Sequence, residues 1–175
     1  FSYFIYEDLK KNNKIKLADK YNNTIMNFIS GNKLNVEIDL VNIIKKNDTT
    51  YSPLALYFLI DNNIINERKK ITELFDIVIT KTNLEKEIKN LIIYKKALFH
   101  SDFDTENNLI QILRPVVDTD SIWKSHALYL MAEYFYSNNE KKKAREFFDQ
   151  IIILKNINVN IKKETQKRLS RDFSE

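Results

Sequence analysis

Residues 128–148 read LYLMAEYFYSNNEKKKAREFF. Leu128, Met131, Ala132 and Phe135 recur at helical spacing, the turn pair Asn138-Asn139 follows, and Ala144, Phe147 and Phe148 resume the spacing. The stretch therefore reads as one amphipathic helix, a tight turn and a second amphipathic helix. It places Lys141-Lys142-Lys143 on the exposed first turn of the second helix, not in a nucleic-acid patch.

The rest of the chain agrees with a helical reading. Its 175 residues suffice for one domain or a short repeat array with a real core. One glycine and two prolines beside 43% apolar residues are too few breakers for a turn-rich β fold, so an all-α chain is expected. The run Ile151-Ile152-Ile153-Leu154 is ambiguous alone but continues the helical period. Cysteine is absent, which excludes disulfides, thiolate catalysis and cysteine-based metal sites. The net charge of +4, from 28 Lys+Arg against 24 Asp+Glu, is interspersed, and only five basic residues are Arg. Nucleic acid is therefore not an expected partner.

The spacing predicts nine helices. The first covers 3–29 and ends at Ser30-Gly31-Asn32, with the glycine at a C-cap. The second covers 34–46. The third starts at Ser52-Pro53, a cap residue before proline at the first helical position, and ends near Asp61-Asn62-Asn63. The fourth covers 66–80, and the fifth, 83–100, opens on a capping box of Thr82 and Glu85. The sixth, 105–114, is capped by Asp104 and ended with the help of Pro115. Helices over 121–137, 140–155 and 159–172 complete the chain. Short connections imply antiparallel neighbours. No linker rich in Pro, Gly or Ser divides residues 18–175, which read as one domain behind a start at 1–17.

That start, FSYFIYEDLKK, is an apolar aromatic stub running into charge. Phe1 is not methionine, so a trimmed chain is expected. The pattern suits the last turns of a removed membrane-spanning helix, with Tyr3 and Tyr6 at the interface; a frayed amphipathic helix start fits it as well. The sequence contains no apolar run long enough to span a bilayer.

The pair of helices over 128–148 follows the tetratricopeptide (TPR) pattern, a helix–turn–helix of roughly 34 residues. Leu128-x2-Met131-Ala132-x2-Phe135, Ala144-x3-Phe148 and Asn156 fill its positions, with asparagine in place of the proline. Worn copies are Tyr51-x2-Leu54-Ala55-x2-Phe58, Tyr21…Ile25-x2-Phe28 before Gly31-Asn32, and Ala97 with Leu109-x3-Leu113. Four helix pairs and a polar last helix (Lys162, Lys163, Glu164, Gln166, Lys167, Arg168) describe a TPR-like α-solenoid with a capping helix. In such arrays the first helix of each pair lines a concave surface that holds extended partners. His126, Tyr129, Glu133 and Tyr136 share one face of the seventh helix, and Tyr94 and Leu98 extend the stripe from the fifth. These six are the candidate partner-binding residues. The competing reading is that the tyrosines only pack neighbouring repeats.

The C-terminal third narrows the choice. Leu113-x-Pro115, Trp123 ahead of Ala127, the helix around Ala132, Ala144-Arg145-x-Phe147-Phe148 and a final helix at Gln166 stand in the order found in one bacterial family. Over 18–172 the chain resembles the YfgM-like, TPR-like ancillary subunits of the SecYEG translocon of Gram-negative bacteria. These are single-pass inner-membrane proteins with a periplasmic TPR-like domain. The resemblance implies a non-enzymatic scaffold without a cofactor. Its implied partners are Sec translocon components, periplasmic chaperones and emerging, extended polypeptide clients. One departure is Lys10, Lys11, Lys14 and Lys16 close behind the stub, since positive charge normally stays cytoplasmic. The rival readings are a soluble TPR adaptor or secretion chaperone, and a basic nucleic-acid-binding solenoid.

The sequence carries none of the usual catalytic patterns. His100 and His126 are the only histidines and belong to no HExxH, so a metal site is not expected. Asp102-x-Asp104-x-Glu106 lacks the turn glycine and terminal glutamate of a calcium loop. A single glycine excludes glycine-rich phosphate loops, and nothing is placed as a serine triad. The chain reads as a non-enzyme.

Overall fold

A computed structural model describes residues 2–173, with side chains from Glu7 onward; the interface residues expected at Tyr3 and Tyr6 lie outside the described side chains. Among the described residues there are nine α-helices and no strand: α1 (Ser2–Ile29), α2 (Val36–Ile44), α3 (Tyr51–Asp61), α4 (Arg68–Lys81), α5 (Lys86–His100), α6 (Glu106–Val117), α7 (Lys124–Ser137), α8 (Lys141–Ile152) and α9 (Val159–Asp172). The all-α class is thus seen, and Ile151 and Ile152 close α8 while Ile153 lies outside it, 79% exposed.

With one glycine available, asparagine takes over the left-handed backbone positions that follow α2, α3 and α7, and the one that opens α2. Asn35, Asn47, Asn63 and Asn139 have φ of 61°, 54°, 50° and 62°, beside Gly31 at 89°. Asparagine tolerates this region better than other side-chain-bearing residues. After α7 the Glu140 N–H donates to the Phe135 carbonyl at 2.9 Å and the Asn139 N–H to the Tyr136 carbonyl at 3.1 Å, a Schellman closure. The same pair of bonds closes α3, from Ile64 to Leu59 and from Asn63 to Ile60.

Four start and stop signals fall elsewhere than the spacing predicts. Helix α5 is capped by Glu85, whose carboxylate accepts from the Glu87 and Ile88 N–H groups, while the backbone of Thr82 is extended and its hydroxyl is buried without a protein partner. At α3 the Asp48 carboxylate accepts from the Thr50 and Tyr51 N–H groups, both at 2.8 Å. Ser52 instead donates to the Ile43 carbonyl across the α2–α3 turn at 3.2 Å. Helix α6 is capped by Thr105 rather than Asp104. It also runs through Pro115 to Val117, because an exposed proline near the last turn sacrifices a single backbone bond.

The fold divides into two compact units, Phe1–Leu84 and Glu85–Glu175. In the first, α1 packs on α2 and α3, and α4 on α2 and α3. Its core holds Leu40, Ile43, Ile44, Ala55, Leu56, Leu59, Phe75 and Val78. Positions matched in the two worn repeat copies touch: Tyr21 meets Tyr51 with ring centroids 5.6 Å apart, and Phe28 meets Phe58 edge-on at 5.3 Å.

In the second unit α5 packs on α6 and α7, α7 on α6, α8 and α9, and α8 on α9. Ala132 and Ala144, the small residues of the repeat pattern, are fully buried, as are Leu113 and Phe148. The connection before α7 is tied to α5 by Glu87, whose carboxylate accepts from the Ser121 hydroxyl at 2.8 Å and the Ile122 N–H at 3.2 Å.

Candidate binding surface on the seventh helix

Helix α7 is the hub of its unit, with Ser125, Ala127, Leu128, Leu130, Met131, Ala132 and Phe135 all buried. The residues of α7 expected to bind a partner fall into two groups, His126 in one and Tyr129, Glu133 and Tyr136 in the other.

The first group faces α5. Tyr94 stacks on Trp123 with centroids 6.1 Å apart, and both rings meet His126, at 5.8 Å and 5.1 Å. Leu98 lies one turn beyond Tyr94 and is 48% exposed, while Ile122, beside Trp123, is 63% exposed. Large aromatic side chains with a polar handle are enriched at protein interfaces. Trp123 belongs to this group although helical periodicity on α7 does not select it, because it precedes the helix at the N-cap.

The His126 Nδ1 is buried and has no hydrogen-bond partner in the protein. Burial holds the imidazole below its ordinary value of 6.5. The unfolded chain therefore binds this proton more readily, so stability contributed at neutral pH declines as pH falls below about 6.5, toward the lower folded value. His126→Gln is expected to flatten the pH dependence of the urea midpoint between neutral pH and the upper carboxylate range. An unchanged slope would contradict the assignment.

The second group is covered by α8 and α9. The Tyr129 ring meets Phe148 edge-on at 5.6 Å, and Tyr136 meets Phe173 at 5.8 Å. The Glu133 carboxylate takes two hydrogen bonds from the Arg168 guanidinium, each at 2.7 Å. That guanidinium lies 4.2 Å from the Tyr136 ring centroid and also binds Asp172. Burial, then the neighbouring Glu133 carboxylate, pushes the Tyr129 hydroxyl up to about 12. Arg168, Asp172 and Phe173 were not singled out from the sequence as a cover for α7. Their only signal is that Arg168 and Asp172 stand four apart on one helical face.

The other polar candidates have local partners. Lys143 pairs with Glu106 at 3.0 Å and with Glu140 at 2.6 Å, and its ammonium lies 5.0 Å from the Phe135 ring centroid. Lys141 approaches the Tyr136 ring, while Lys142 is exposed. The Asp104 carboxylate meets His100 Nδ1 at 2.8 Å and accepts from the Thr105 N–H and the Asn108 amide. Burial opposes its charge, yet these bonds hold it below the usual carboxylate range. Among the described residues no group of three or more His, Asp or Glu is placed to hold a metal ion, and no helix is long and apolar enough to cross a membrane. No protein family, curated protein or solved structure matches the chain.

Proposed function

We propose that the chain is a TPR-like α-solenoid domain serving as a non-enzymatic protein-interaction scaffold. In this reading it is tethered to the bacterial inner membrane with the domain in the periplasm. There it holds Sec translocon components together with periplasmic chaperones and emerging polypeptide clients. The observation that carries the interaction role is the Tyr94–Trp123–His126 cluster with exposed Leu98 and Ile122 at its rim. Clustered aromatic residues of this kind are what partners most often grip. The solenoid reading is supported by contacts between alternate helices, α1 with α3 in one unit and α5 with α7 and α7 with α9 in the other. The translocon and the periplasm rest on the family resemblance over 18–172.

In-cell crosslinking followed by purification of the membrane-anchored protein tests this role. Translocon components or periplasmic chaperones are expected in the eluate. Their absence, with soluble cytoplasmic partners recovered instead, would replace the tethered scaffold by a soluble adaptor.

A further inference from the structure

Helix α1 carries a feature that partner binding at α7 does not use. Residues 7–16 are all exposed, so this half of the helix stands clear of the first unit's core. Leu9, Lys10, Asn13, Lys14, Lys16, Leu17 and Lys20 recur at helical spacing and form one wall of an open groove of about 970 Å³. The other wall is the α2–α3 turn, Lys46–Thr49. Five lysines from two segments thus converge on one concavity. Its single acid, Asp48, is engaged by the Thr50 and Tyr51 N–H groups, and among the described residues Lys20 alone of the five lysines pairs with a carboxylate, Asp39 at 3.1 Å.

We propose that this groove binds the phosphate head groups of an anionic membrane surface. Two observations favour a lipid source over other polyanions. Leu9 is 58% exposed on the groove wall among the lysines, an apolar contact beside cationic groups of the kind that seats a helix in the interfacial layer. The lysines also follow residues 2–6 of the apolar stub on one continuous helix. At about 1.5 Å per residue, Lys10, Lys14 and Lys16 lie roughly 6–15 Å beyond residue 6, within reach of a charged lipid surface. The acids of this segment, Glu7, Asp8 and Asp19, do not line the groove.

The position of the groove rests on the tethered reading, and the test separates the two. Co-sedimentation of residues 1–175 with phosphatidylcholine vesicles measures what the stub alone contributes. The increment on adding phosphatidylglycerol measures the groove. Lys10→Gln/Lys14→Gln/Lys16→Gln/Lys46→Gln is expected to lower that increment at least tenfold, since each lysine near an anionic surface is worth about fivefold. A charge-matched control, Lys69→Gln/Lys89→Gln/Lys142→Gln/Lys155→Gln, should keep it. Equal losses in both variants would overturn the site in favour of bulk charge. Saturable, lysine-dependent binding of pyrophosphate or duplex DNA without any vesicle increment would overturn the lipid assignment.

Discussion

Phe148→Ala is expected to cost about 3–5 kcal/mol of stability, among the largest losses of any single side chain in the second unit. Phe148 is fully buried on α8 and is met by Tyr129 of α7 and by Phe173 behind α9. Truncation removes the buried ring and leaves a cavity that close-packed neighbours fill only in part. Chemical denaturation monitored by circular dichroism checks this, and Phe147→Ala is the control. Phe147 is half-buried and stacks on Phe135 at 5.4 Å, so its loss should be clearly smaller.

Arg168→Ala should cost about 2 kcal/mol, the scale of charge-assisted hydrogen bonds lost together. The guanidinium is 13% exposed and serves three partners at once: both oxygens of Glu133, the Asp172 carboxylate and the face of Tyr136. The Glu133 side chain is 35% exposed, so water recovers part of its charge and keeps the cost below that of a fully buried pair. Arg168→Lys is expected to restore less than half of the loss, because an ammonium has neither the planar fork nor the stacking face. In a double-mutant cycle with Glu133→Gln, a coupling near zero would show that the pair contributes nothing.

Those two residues also show where reading the sequence reaches and where it stops. Helix existence was legible throughout, because apolar spacing and the scarcity of glycine and proline leave no other regular structure for 175 residues. Burial of Ala132, Phe135, Ala144 and Phe148 followed from the repeat spacing alone. Caps were less legible. Several Ser, Thr, Asp and Glu residues crowd the starts of α3, α5 and α6, and which one turns inward depends on the backbone angles before it. Asp48 rather than Ser52 serves the start of α3 because the helix already begins at Tyr51, which leaves Ser52 inside the first turn, donating to the Ile43 carbonyl.

The candidate surface was half legible for a related reason. Spacing puts His126, Tyr129, Glu133 and Tyr136 on one face of α7, but it does not say which neighbour that face meets. The structure gives the His126 end to Tyr94 and Trp123, and the Tyr129–Tyr136 end to α8 and α9. Arg168 looks, in sequence, like one more solvated charge on a polar helix. Only the fold brings it over Tyr136. Substituting Tyr129 or Tyr136 would therefore disturb packing as well as binding, and a test of function belongs at the exposed rim.

Position-specific photo-crosslinking at Leu98, in cells carrying the membrane-anchored protein, tests the scaffold role most directly. A crosslinking residue there replaces an exposed side chain and leaves the Tyr94–Trp123 stack in place. Adducts with translocon components or periplasmic chaperones at position 98, absent at the exposed Lys142 of α8, are the predicted result. Equal adduct patterns at both positions, or none at Leu98, would contradict a partner-binding surface on the α5–α7 face.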